Sequence, residues 1–137
     1  MPGWDYPYYD TYSYIQIDDC LSHTTSFPVE AAVFVDVFCG SLTITGDVAE
    51  VNVIENHGTI RIQAGGHNLY YATAYQQFGN LYVDDNVKRA SFYNLWGGSF
   101  TQISNAKRWV STINSMPNAR LDILNCDDVD IDVHLAA

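Results

Sequence analysis

From Gly40 to the C-terminus one short pattern keeps returning: a small or polar corner residue followed by alternating apolar positions. The corners are Gly40, Gly58, Gly79, Gly98 and Asn118, spaced 18, 21, 19 and 20 residues apart. After the first three come Leu42 and Ile44, Ile60 and Ile62, and Leu81 and Val83, the period-two signature of strands with one buried face. A period near twenty marks a solenoid, whose coils bury a core only by stacking on their neighbours. The expected fold is therefore all-β: a single-stranded β-solenoid, drawn as a right-handed parallel β-helix of five to six coils. Residues 1–14 are read as an extended arm and 15–137 as the solenoid domain. Val33 and Val35, in the run that ends at Val37, lie 18 residues before Val51 and Val53, so the stack begins ahead of Gly40.

Superposing the units tests the repeat. Seven residues after their corners stand Asp47, Asn86, Asn105 and Asn125, with Gly65 in the remaining unit. Asn, Asp and Gly tolerate the left-handed backbone that a tight corner needs. Val48, Val87, Ala106 and Cys126 follow and are expected to point inward, as are Val51, Leu69, Ala90, Trp109 and Val129 in the second strand. Nine and ten residues after the corners fall Lys88-Arg89, Lys107-Arg108 and Asp127-Asp128, which places the second basic pair between a basic and an acidic one. In the last two units Ile103, Leu121 and Ile123 sit one residue out of step, as a bulge would leave them. A competing reading folds Asn86–Trp96 and Ser104–Met116 as helices, in the manner of leucine-rich repeats, but their Ser, Thr, Asn, Val and aromatic residues are poor helix formers.

The surface is strongly acidic, with 16 acidic against 6 basic side chains and a net charge of −10. Binding to nucleic acid is driven by Lys and Arg displacing counterions, so that partner class is not expected. No apolar run approaches the roughly 20 residues of a membrane span, and the first residues lack the basic and apolar regions of a signal peptide. Cys20, Cys39 and Cys126 are odd in number with no close pair, so buried thiols are expected rather than a disulfide or a zinc site.

The N-terminus has its own character. Trp4, Tyr6, Tyr8, Tyr9, Tyr12 and Tyr14 crowd around Pro7, too many rings for so short a stretch to bury against itself. Tyr and Trp are enriched in interface cores, so these six residues are read as a partner-docking arm; folding back over the open end of the core is the other possibility. At the far end Asp128, Asp130 and Asp132 alternate with Val129, Ile131 and Val133. They are read as an acidic guard that discourages end-to-end addition of another sheet; a divalent cation site and a carboxylate pair for glycoside chemistry are the sharper alternatives. Tyr70, Tyr71, Tyr75, Tyr82, Tyr93, Trp96 and Trp109 lie in the middle units, and Tyr82, Tyr93 and Trp96 are the candidates for a glycan or partner surface. His23 lies in the polar stretch Ser22–Pro28 and is read as a solvated loop residue, and His57 and His67 share a face with no obvious acid and nucleophile. No Ser-His-Asp order, metal-binding His pair or phosphate-cradling Gly loop is present, so the expectation is a chain with no enzymatic activity, cofactor or metal.

The motif Gly40-Ser41-Leu42-Thr43-Ile44, repeated in a short acidic chain with an aromatic N-terminal arm, resembles the small β-helical modules of bacteriophage particles over roughly Val33 to Leu135. That resemblance implies a structural virion component, attached to a capsid or tail, made in the host cytoplasm and joined to other protein subunits. The chain also resembles bactofilins in coil number and length, although its repeats are richer in Tyr, Trp and Asn. A glycan-binding module is the alternative from a different class. With an acidic last strand, the oligomer expected is closed and side by side rather than an end-to-end filament.

Overall fold

The computed structural model describes residues 11–63, 69–84, 86–126 and 129–136, leaving aside the side chains of residues 11, 28 and 29. Eleven strands run in chain order: β1 (Thr11–Ile17), β2 (Ser22–Val37), β3 (Ser41–Asn56), β4 (Thr59–Gln63), β5 (Leu69–Gln77), β6 (Asn80–Val83), β7 (Val87–Leu95), β8 (Phe100–Ser104), β9 (Trp109–Ser115), β10 (Arg120–Leu124) and β11 (Asp130–Leu135). All their pairings are parallel. The chain is a β-solenoid of about six turns. The segments read alternatively as helices contain strands β7 and β9. Among the described residues there is no helix, and hence none long and apolar enough to cross a membrane.

Two parallel sheets share the coils. The first halves of β2 and β3 continue into β4, β6, β8 and β10; β1 and the second halves of β2 and β3 continue into β5, β7, β9 and β11. Alternation turns every second side chain inward, where equivalent residues stack in columns. In the first sheet Leu42, Ile60 and Leu81 lead to Thr101 and Leu121, beside Ile44, Ile62, Val83, Ile103 and Ile123. In the second, Val33, Val51, Ala72, Ala90, Val110 and Ile131 form one column, and Val35, Val53, Ala74, Phe92, Thr112 and Val133 the next. Small Ala74 beneath large Phe92 keeps the volume matched. Both sheets contribute to one hydrophobic core.

The corner near Gly40 shows why the spacing is what it is. The carbonyl oxygens of Leu21, Gly40, Gly58, Gly79 and Ser99 accept from Ser41, Thr59, Asn80, Phe100 and Arg120, at 2.8 to 3.1 Å. A Cβ on Gly58 would run into the Gly40 carbonyl oxygen, and one on Gly79 into that of Gly58. In the next coil this place belongs to buried Ser99, not Gly98. Gly98 and Asn118 have moved into tight turns, where Ser99 N–H donates to Trp96 O and Ala119 N–H to Met116 O, both at 3.1 Å. Pro117 followed by Asn118 at φ 68° has the sequence signature of a type II turn.

Counting from Gly98 and Asn118 therefore runs one residue out of step, which accounts for Ile103, Leu121 and Ile123 and corrects three expectations. Trp109 does not point inward; it is half-exposed opposite Arg89 and Asp130, and Val110 takes the core position. Arg89 aligns with Trp109 rather than with a second basic pair. At the corner that ends the first-sheet strands the left-handed residues are Gly46 (φ 91°), Asn105 (φ 64°) and Asn125 (φ 53°), each two places after Ile44, Ile103 or Ile123, and Asp47 and Asn86 are not among the positive-φ residues.

The cysteines need a further correction. Cys20 and Cys39 form a disulfide across 19 residues, joining successive coils, while Cys126 is free and half-buried. The separation is that of the coil itself, since Ser22 aligns with Ser41, so residues distant in sequence are stacked neighbours.

Two outcomes follow. Gly79→Ala should lower stability by about 1–3 kcal/mol in urea unfolding, the usual range for overpacking, whereas Gly98→Asn, with no atom within 4 Å of its Cβ position, should fold with little loss because Asn tolerates positive φ. Equal losses would dissolve the close-approach account. Replacing both Cys20 and Cys39 with Ser should cost about 3 kcal/mol in the same assay, by loop-closure entropy, and an unaltered midpoint would show that the staple contributes nothing.

Candidate functional site

The outward side chains stack from coil to coil as the inward ones do. In β3, β5, β7 and β9 two successive residues face outward before the inward alternation resumes: Ile54-Glu55, Tyr75-Gln76, Tyr93-Asn94 and Ile113-Asn114. The Tyr75 and Tyr93 rings stack at 4.8 Å and 8°. Beside them Asn94 Nδ2 donates to Tyr75 O and Asn114 Nδ2 to Asn94 Oδ1, both at 3.1 Å.

The next inward residues, Asn56 and Gln77, are buried and polar. Asn56 Nδ2 donates to Gln77 Oε1 at 2.8 Å and to Asn80 O at 2.9 Å, and its Oδ1 accepts from Gly58 N–H at 3.0 Å. Gln77 Nε2 reaches Gly79 O, Phe100 O and Thr101 Oγ1. This network ties the second sheet to the glycine corner and leaves neither amide unpaired, as burial requires.

Just beyond it a ladder of rings follows the corner. Phe38 tilts against His57 at 5.5 Å, His57 stacks on Phe78 at 4.3 Å, and Phe78 stacks on Trp96 at 5.3 Å. Trp96 Nε1 donates to Gln76 Oε1 at 2.6 Å, and His57 Nε2 lies 2.9 Å from Glu55 Oε2. On the first sheet the Arg61 guanidinium covers the Tyr82 ring at 4.0 Å, and Arg120 lies over Phe100 at 5.4 Å. Lys88 and Arg89 likewise sit over Tyr70 and Trp109. The rings therefore turn much of their flat area toward one another or toward a cation, and this limits what can stack on them from outside.

The last coil is different. β11 pairs with β9 on one side only. Asp130 and Asp132 align with the outward Trp109 and Ser111, and His134 Nε2 lies 3.0 Å from Asp132 Oδ1. Ile131, Val133 and Leu135 continue the inward columns, yet they are 52%, 43% and 77% exposed. β10 ends the other sheet with Leu121 and Ile123 half-buried.

No family model matches this chain. Neither a curated protein nor a solved structure matches it.

The candidate residues therefore separate in space. Tyr12 and Tyr14 lie exposed in β1, with Tyr14 Oη donating to Asp36 Oδ2 at 3.3 Å. Trp4, Tyr6, Tyr8, Tyr9 and Asp128 lie outside the described residues, as does His67. Tyr82 is on the first sheet, Tyr93 on the second and Trp96 at the corner, so these three do not form one patch. Asp130 and Asp132 face outward from the second sheet rather than along the solenoid axis. The Phe38-His57-Phe78-Trp96 ladder escaped the sequence reading, although the first three of these residues stand within two places of a corner glycine. Among the described residues no three His, Cys, Asp or Glu side chains gather as a metal site does.

At the opposite end Asp19 accepts from Leu21 N–H at 3.0 Å and pairs with His23 Nε2 at 2.8 Å. The hydrogen bond with His23, then that with the Leu21 N–H, holds its carboxyl below the usual range. A depressed carboxylate contributes stability that is present above its unfolded-state pKa and lost as pH falls through the folded one. Asp19→Asn should therefore be less stable than the parent at neutral pH and should lose less on acidification below the usual carboxylate range. Superimposable acid-unfolding curves, followed by circular dichroism, would remove that contribution.

Proposed function

We propose that the chain is a non-enzymatic structural module of a protein assembly, a virion component of the bacteriophage type that its architecture resembles, attached to other subunits. The observation that carries this reading is the last coil, where Ile131, Val133 and Leu135 lie exposed along a sheet edge that no other described strand covers. Apolar area contiguous with a core, together with an open sheet edge, marks a surface that gains by meeting another protein. At the other end the aromatic run of Trp4, Tyr6, Tyr8 and Tyr9 supplies the docking arm, and exposed Tyr12 and Tyr14 continue that run into β1. The Cys20–Cys39 disulfide suits service outside the reducing cytosol, as on a particle surface.

The glycan-binding alternative needs free ring faces for sugars. Stacking of Tyr75 on Tyr93 and of Phe78 on Trp96, with Arg61 over Tyr82, counts against it. The acidic surface, net −10, gives no support to nucleic acid as a partner.

Co-sedimentation from the cells that naturally make the chain tests the reading. The tagged full chain should travel with a high-mass particle. Deleting residues 1–10, which leaves β1 whole, should return it to the small-protein fractions with its circular dichroism unchanged. A full chain confined to those fractions overturns the assembly role, and a shortened chain that still joins the particle overturns the arm. Glycan-array binding abolished by Trp96→Ala or Tyr82→Ala would install the alternative.

A further inference from the structure

Each inward column of the second sheet ends abruptly at β11. Val110 is 0% and Thr112 1% exposed one rung below Ile131 and Val133, so one missing rung separates buried from exposed members of the same column. The last coil is an apolar strip with open edges along β10 and β11. The outward carboxylates do not cover it, because strand side chains stand perpendicular to the sheet and the open edge lies within its plane.

We propose that the missing rung is the last coil of a second copy of this chain, joined tail to tail about a twofold axis, with β11 antiparallel to β11 and Val133 on the axis. This takes the place of the side-by-side oligomer expected from the sequence, and it rests on the assembly reading above. The strand's own alternation selects the register. For inward residues to meet inward residues, the two strands must be centred on a residue rather than between residues. Centring on Ile131 sets Asp130 against Asp132, and centring on Asp132 sets that carboxylate against its own copy. Centring on Val133 sets Ile131 against Leu135 and Asp132 against His134, twice over by symmetry. An imidazole N–H donates to a carboxylate whatever the ring's charge, so the outer face is matched as well as the inner one.

The described N-terminal end is a poorer partner for this surface. Its first-sheet edge presents His23 and Thr25 in the columns that continue as Leu42 and Ile44, so a head-to-tail contact would set polar groups on apolar Leu121 and Ile123. A tail-to-tail contact closes with two copies, whereas a head-to-tail one would propagate.

Sedimentation equilibrium of the full chain should give a monomer–dimer equilibrium. In a Cys126→Ser background, Val133→Cys should form a disulfide-linked dimer on oxidation, because the axis sets that residue against itself, while Ile131→Cys should not. His134→Asp, with unchanged circular dichroism, should weaken the dimer about tenfold or more, since it sets Asp against Asp twice. A monomer at every concentration, a fibre, or a dimer that Val133→Cys fails to link would overturn the proposal. A monomer that still sediments with a particle removes the pairing alone, whereas a dimer that never joins one supports the pairing and removes the assembly role.

Discussion

Coil-to-coil registry is the constraint on which the rest depends. A rung in this molecule has no interior of its own, since its inward side chains are buried by the rungs on either side and its backbone groups are satisfied by the same neighbours. Val51 is buried because Val33 and Ala72 flank it, and Ile131 is exposed because Val110 flanks it on one side alone. Core, surface ladders and open end are consequences of one repeated offset. The offset is not uniform, running from 18 to 21 residues between successive first-sheet strands, and the corners absorb the difference.

Those corners use two devices. At Gly40, Gly58 and Gly79 the preceding coil's backbone leaves no room for a side chain. Where two more residues are inserted, at Trp96–Ser99 and Met116–Ala119, the turn closes on itself and a larger residue such as Ser99 is admitted to the stack. Asn56 and Gln77 operate between these regimes by hydrogen-bonding both to each other and to the corner backbone. Buried amides of this kind are costly unless fully paired, so they penalise any slip in register that an all-apolar core would tolerate.

The solenoid was legible because alternation and a period near twenty are carried by many residues at once, as in Leu42-Ile44, Ile60-Ile62 and Leu81-Val83. The one-residue lag at Ile103, Leu121 and Ile123 was legible too, but its origin was not, because Gly98 resembles a corner glycine in sequence while occupying a turn. Trp109 is ambiguous for the same reason, since its size suggests a core and only the register shows that Val110 holds that place. The Cys20–Cys39 bond does not show as closeness along the chain. In a stack, closeness means one full period, and the separation of 19 was the available signal. The surface candidates were less legible still, because Tyr82, Tyr93 and Trp96 are near in sequence but belong to two sheets and a corner.

The unequal ends connect stability to assembly. At the N-terminal end Cys20–Cys39 joins two coils covalently and Asp19 holds both the Leu21 N–H and the His23 ring, so loss of the first rung is opposed by bonds that do not depend on burial. At the C-terminal end β11 is held by one neighbour, and its apolar residues remain half-exposed or more. In a stack stabilised by nearest-neighbour contacts, opening begins at the rung with the fewest contacts and proceeds inward. The least stable rung is thus also the one with most to gain from a partner, and whatever covers Val133 stabilises the fold in the act of binding.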